Sequence, residues 1–200
     1  MKSGKIYLIR HGQTEGNGHH YVGWENLNLN ENGKSQALAI ANLLRNRPVT
    51  DIYCSSLRRA IDTATPLSKQ KQLILKTDYT LNEINYGTFQ GRLKSELNLK
   101  LKKEYQYQSL PDGESLHDVY LRVKKFHHSI TGSLMRSENL AIISHYWSIR
   151  LFYGILQNKN FAEIFAQRSY KPDNASVYEV AYRWQDSIGL ECTSVGYVTH

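Results

Sequence analysis

The most restrictive feature of this chain is the alternation of short apolar runs with stretches of helical periodicity. Ile6-Tyr7-Leu8-Ile9 is apolar at every position, as suits a strand buried on both faces. Asp51-Ile52-Tyr53-Cys54 and runs over 73–76 and 140–143 have the same strand-like character. Between the first two, Ala37, Ile40, Ala41 and Leu44 recur at helical spacing over 30–46, with Asn30 as the N-cap. Further helices are expected over 57–69, capped by Ser55-Ser56, over 94–107 with a basic face, over 114–135 and over 147–156. Pro111-Asp112-Gly113 separates the second of these from the third, and β-formers over 177–182 and 190–198 finish the sheet. Alternation of this kind predicts an α/β fold, a three-layer α/β/α sandwich around a mostly parallel central sheet. At 200 residues, without linker, repeat or low-complexity segment, a single domain over 1–200 is expected.

In such sheets ligands sit beyond the carboxyl ends of the strands. The unusual residues of this chain collect there. Arg10 and His11 follow the first strand, Ser55, Ser56, Arg58 and Arg59 the second, Glu83 lies in the loop after the third, and Ser144-His145 follows the fourth. Taken singly, each has a bland reading as a solvated or capping residue. Together they fit phosphoryl transfer. A neutral imidazole at His11 can attack phosphorus in line. Arg10 and Arg59 offer planar forks to the equatorial oxygens, and a protonated His145 would add a donor. Glu83 can protonate the leaving alkoxide if a partly desolvated, anion-bearing site raises its pKa. The scheme needs no metal, and no phosphate-binding P-loop or D-x-D motif is present.

Charge and targeting signals agree with such a role without selecting it. Lys and Arg exceed Asp and Glu by 25 to 18, a net charge of +7, which favours anionic partners. The start of the chain shows no signal-peptide core and no apolar run long enough to span a bilayer, so a cytoplasmic location and no membrane partner are expected. Cys54 and Cys192 read as reduced thiols, and His19-His20 and His127-His128 as solvated histidines rather than metal ligands.

Leu8-Ile9-Arg10-His11-Gly12-Gln13-Thr14-Glu15-Gly16-Asn17 resembles the signature of the histidine phosphatase superfamily, the phosphoglycerate mutase-like family. Ser55-Ser56-Leu57-Arg58-Arg59-Ala60, the loop from Leu81 to Gly91, Gly113-Glu114-Ser115 and Ile143-Ser144-His145 with Arg150 resemble its later motifs, in order. The resemblance implies a phosphoglycerate mutase-like fold, a phosphohistidine at His11, Glu83 as general acid/base, and Arg10, Arg59 and His145 around the phosphate. It adds Asn17 as a phosphate contact, with Gln13, Thr14, Tyr86 and Tyr146 as further candidate substrate contacts. Of Arg58 and Arg59, the motif favours the one before Ala60. The family commonly has Gly-Gly or Gly-x after the second histidine. Tyr146-Trp147 stands there instead, where a positive φ would be costly, and the two large side chains are expected to narrow or reshape the pocket. Tyr146 either packs or stacks on an aromatic or sugar portion of a substrate.

Hydrolysis and mutase chemistry share this site. The resemblance implies a long, arginine-bearing insertion before Gly113 in cofactor-dependent mutases. Here the stretch after Gly91 is short and its single arginine is Arg92. A phosphatase of small phosphomonoesters is therefore expected, similar in length to alpha-ribazole phosphatases, with no cofactor and no nucleic-acid partner. The basic segment 94–103 is either a lid for acidic substrates or a solvated face. A catalytically inactive polyanion-binding module is the remote alternative, supported only by the charge and the 14 tyrosines.

Overall fold

The apolar runs of the sequence lie side by side in one sheet at the centre of the computed structural model, which describes residues 2–97, 99–101, 103–136, 138–166, 171–186 and 189–198. Among these the strands are β1 (Lys2–Arg10), β2 (Asp51–Cys54), β3 (Leu75–Thr77), β4 (Leu140–Ser144), β5 (Val177–Gln185) and β6 (Gly189–Tyr197). Their order is β3-β2-β4-β1-β5-β6, with the first four parallel and β5 and β6 antiparallel to their neighbours. The helices are α1 (Glu31–Leu43), α2 (Arg58–Lys71), α3 (Lys94–Leu97), α4 (Leu116–Ser129), α5 (Thr131–Met135), α6 (Tyr146–Leu156) and α7 (Phe161–Ala166). None of the described helices is long and apolar enough to cross a membrane.

Strand geometry sends alternate side chains to opposite faces, so a doubly apolar strand feeds two cores. Tyr7 and Ile9 of β1 and Ala141 and Ile143 of β4 pack with Ile40, Ala41, Ala60, Ala64 and Leu67 of α1 and α2. Ile6, Leu8, Leu140 and Ile142 pack on the other face with Val119, Val123 and Phe126 of α4 and Ile149 and Phe152 of α6. These are the three layers expected. Each large aliphatic side chain buried here contributes roughly 1.5–3 kcal/mol.

Four local expectations are corrected. Ser55 and Ser56 do not cap α2, whose N-cap is Leu57 without a side-chain bond; both hydroxyls are committed to Asn82 Oδ1 instead. The helix expected over 94–107 shrinks to Lys94–Leu97. Its continuation is tied down from outside, by Tyr21 Oη accepting from Leu99 N–H (2.8 Å) and Tyr105 O accepting from Leu116 N–H (3.0 Å); Asn98 and Lys102 lie outside the described residues. The helix expected over 114–135 starts at a Ser115–Asp118 capping box and divides at Ile130, which is both the C-cap of α4 and the N-cap of α5. α7 was not foreseen, because six residues are too few for periodicity to register.

The loop that carries Glu83 depends on Gly87. Its φ is +55°, and a Cβ there would lie 1.9 Å from Pro111 O. Gly87→Ala is expected to destabilise the protein by roughly 2–5 kcal/mol, from left-handed strain plus backbone overlap. Urea unfolding measures this, and a shift below about 1 kcal/mol would refute the close packing of the two loops.

Candidate active site

The sheet register brings the two histidines together. Arg10 pairs with Ser144 across β1 and β4, so His11 and His145 each stand one residue past the last pair. His11 N–H donates to Ser144 O (3.0 Å), and the two rings lie with centroids 5.0 Å apart. Gly12 permits the tight turn that follows, since a Cβ on it would lie 2.6 Å from Gly33 O at the start of α1.

His11 is 3% exposed. Its Nδ1 lies 2.7 Å from Gly12 O, and a carbonyl can only accept, so Nδ1 carries the proton and Nε2 keeps a lone pair. Burial, together with the guanidinium groups of Arg59 and Arg10, holds the imidazole well below its ordinary pKa. It is a neutral base whose Nε2 lone pair faces Arg59.

Arg59, not Arg58, is the second guanidinium. It is 2% exposed and aims Nε–H at His11 Nε2 (3.3 Å), with Nη1 and Nη2 donating to Glu25 O (2.8 Å) and Gly23 O (2.6 Å). Burial lowers its pKa to about 10, so it remains charged at neutral pH. Arg58 is exposed and pairs with Asp62. Arg10 donates Nη1–H to Pro172 O (2.8 Å), while its Nε is buried without a partner.

His145 differs from its expected role as a cationic donor. Asn82 Oδ1 receives Ser56 N–H (3.0 Å) and the Ser55 hydroxyl proton (2.7 Å). With its one proton spent, Ser55 Oγ must accept from His145 Nε2–H (2.7 Å), which leaves Nδ1 bare. Nδ1 is buried without a partner, and burial, aided by the charges of Arg59, Arg122 and Arg10, keeps the ring neutral in the free protein. His145 can therefore donate from Nδ1 only by gaining a proton.

Glu83 is 9% exposed. Its Oε1 accepts from Ile84 N–H (3.0 Å) and Trp147 N–H (3.1 Å). Burial raises its pKa above the ordinary carboxyl value; those two amides and the nearby arginines oppose the rise without cancelling it. Trp147 lies in the first turn of α6, whose N-cap His145 is extended (φ −127°), so the large residues after His145 require no positive φ. No backbone penalty arises. Tyr146 lies between two cations, with the Arg10 and Arg150 guanidinium carbons 5.5 and 5.4 Å from its ring centre.

A cavity of about 450 Å³ joins these groups. Arg10, His11, Gln13, Asn17, Arg59, Glu83, Tyr86 and Tyr146 line it; His145, fully buried with its ring centre 5.0 Å from that of His11, does not. Thr14 does not line it, being buried with its hydroxyl donated to Asn17 Oδ1 (2.9 Å). His20, Tyr21, Lys94, Trp147 and Asn174 also line the cavity. Sequence reasoning assigned no role to His20 and Tyr21, which lie in an irregular loop without a periodic signal. The assembled groups can hold a tetrahedral anion against a neutral nitrogen nucleophile, with a carboxyl of raised pKa beside it.

Comparison with known proteins agrees with this chemistry. The family model described as "Histidine phosphatase superfamily (branch 1)" matches residues 6–188. A 2,3-bisphosphoglycerate-dependent phosphoglycerate mutase of Bartonella henselae is 35% identical over 178 residues, covering 81% of this chain and 85% of that protein. Phosphoserine phosphatase 1 of Hydrogenobacter thermophilus is 29% identical over 180 residues, covering 86% and 83%. The solved structure of a mycobacterial glucosyl-3-phosphoglycerate phosphatase superposes with a TM-score of 0.82 at 26% identity, covering 96% of this chain and 97% of that one. The phosphoglycerate mutase-like fold, the four-strand rim of polar groups and the match along nearly the whole chain have one meaning: this protein belongs to branch 1 of the histidine phosphatase superfamily.

Proposed function

We propose that this protein is a phosphatase that hydrolyses phosphomonoesters of small molecules through a phosphohistidine on His11, with Glu83 as proton donor and no metal. The His11 Nε2 lone pair attacks phosphorus as the P–O bond to the leaving group breaks, and Glu83 delivers a proton to the departing alkoxide. Arg10 and Arg59 surround the equatorial oxygens, and His145, packed against His11, adds positive charge once it takes up a proton from the medium on binding of the dianion. Glu83, now a carboxylate, takes a proton from water as that water attacks phosphorus and the P–N bond breaks. Phosphate leaves, with His11 neutral and Glu83 protonated again.

One observation favours water over a second substrate hydroxyl as acceptor. Among the described residues, the segment between Gly91 and Gly113 contributes only Lys94 and Leu101 to the cavity wall. A single described cation there holds a phosphorylated product weakly against the phosphohistidine, which favours its replacement by water. Mutase activity is the second reading, supported by the 35% identity to a phosphoglycerate mutase.

The test is to incubate the protein with a generic aryl phosphomonoester in the presence of a chelator, and separately with phosphoglycerate. Phosphate release that is insensitive to the chelator is expected. Isomerisation of phosphoglycerate without comparable hydrolysis would replace the phosphatase reading with the mutase one, and activity lost to the chelator would remove the metal-free mechanism. Across a panel of phosphorylated metabolites, kcat/KM then identifies the substrate class.

A further inference from the structure

We propose that Arg122 of α4, clamped by Glu114, is a positioning residue for Glu83: it holds the backbone of the loop that aims the carboxyl at the leaving group. This rests on Glu83 being the general acid. All five N–H groups of the Arg122 guanidinium are spent on this task. Nη1 donates to Thr80 O (2.8 Å) and Asn82 O (2.6 Å), and Nη2 donates to Glu83 O (2.8 Å). The remaining two N–H groups, Nη2 and Nε, donate to Glu114 Oε2 (3.1 Å) and Oε1 (2.8 Å). Glu114 Oε2 accepts in turn from Asn85 N–H (2.9 Å), and Glu114 N–H donates to Asn85 O (2.9 Å). The backbone is therefore pinned on both sides of Glu83. The two side chains are 10% and 17% exposed, so solvent is largely excluded from the ion pair.

The loop between Thr80 and Gly87 has little regular structure of its own beyond a one-turn 3-10 helix ending at Leu81. Without the fork Glu83 O keeps Trp24 Nε1–H and Asn82 O keeps the Ser148 hydroxyl, but no single group ties Thr80, Asn82 and Glu83 together, and the Glu83 carboxyl keeps its bonds with Ile84 and Trp147 N–H. Lysine offers three donors from one point and cannot reproduce a five-bond planar fork. Arg122 is not a cavity-lining residue, so it touches no substrate; its charge also reaches His145, and Arg122→Lys keeps that charge while breaking the fork.

The experiment compares kcat/KM on an alkyl phosphomonoester, whose leaving group needs a proton, with 2,4-dinitrophenyl phosphate, whose leaving group does not. Arg122→Lys is expected to lose roughly 10- to 100-fold on the alkyl ester, and less than about 3-fold on the dinitrophenyl ester. The loss should fall in kcat more than in KM. In a Glu83→Gln background the same substitution should add almost nothing, because both act on one proton transfer. Equal loss on both esters, or full additivity with Glu83→Gln, overturns the proposal and leaves Arg122 a purely structural residue. Should Arg122→Lys fail to fold, Glu114→Gln decides. It keeps an acceptor for Asn85 N–H but removes the ion pair, and its loss must show the same ester selectivity. If Glu83→Gln itself shows no selectivity, the acid assignment falls and the positioning role with it; if Glu83→Gln is selective and Arg122→Lys is not, only the positioning role falls.

Discussion

Replacing His11 with Asn should reduce phosphomonoester hydrolysis by roughly 10⁴-fold or more while leaving the protein folded. The size follows from what the substitution removes. Nε2 is the one unprotonated ring nitrogen of His11, and the attack on phosphorus has no other nucleophile in the design. Asn keeps a donor close to the Nδ1 position, so the bond to Gly12 O can survive and no large cavity opens. Rapid acid-free quenching with radiolabelled substrate gives a second readout, a protein-bound phosphate that is stable in base and labile in acid in the parent protein and absent in His11→Asn. Activity within tenfold of the parent would remove His11 from the chemistry.

Glu83→Gln should lose roughly 10²- to 10⁴-fold on alkyl phosphomonoesters and only a few-fold on esters with good leaving groups. Gln retains an oxygen for the amides of Ile84 and Trp147, so its effect is confined to the proton. The pH profile carries the sign. The reactive form has Glu83 protonated and His11 neutral. Because burial raises the Glu83 pKa above its ordinary value, activity should fall as pH rises through that raised value. Because burial and two arginines depress the His11 pKa, activity should rise with pH only through a range below 6.5. The optimum therefore lies between the depressed His11 limit and the raised Glu83 limit, and Glu83→Gln should abolish the alkaline limb. An unchanged alkaline limb in that variant would assign the proton to another group.

Much of this site was legible in the chain because its groups sit at fixed offsets from strand ends. An apolar run announces β1, and the next residues, Arg10 and His11, must then emerge at its carboxyl end. The same holds for Ser144-His145 after β4. Arg59 was separable from Arg58 by its motif, and the structure places the first inside and the second in solvent. Thr14 was misjudged because a residue in an irregular loop has no periodicity to say which way it points. The segment over 94–107 was overcalled as helix: its local pattern permits one, but bonds from Tyr21 and Leu116 fix its backbone otherwise.

Local sequence alone determined the order of strands and helices, the Asn30 cap of α1, the doubly apolar strands and therefore the three layers. Those features depend on contacts within a few positions, where side-chain period and capping chemistry act directly. The tertiary structure alone decided the protonation of the site. His145 is neutral with a bare Nδ1 because Asn82, Ser55 and Ser56, brought together from two loops, leave its Nε2 only an acceptor to meet. Arg122 looked like one more basic residue on a helix face. Only the packing of α4 under a loop some forty positions earlier gives its five donors their partners. Hydrogen bonds over such separations leave no mark in local periodicity, because they depend on where two segments meet rather than on what either is.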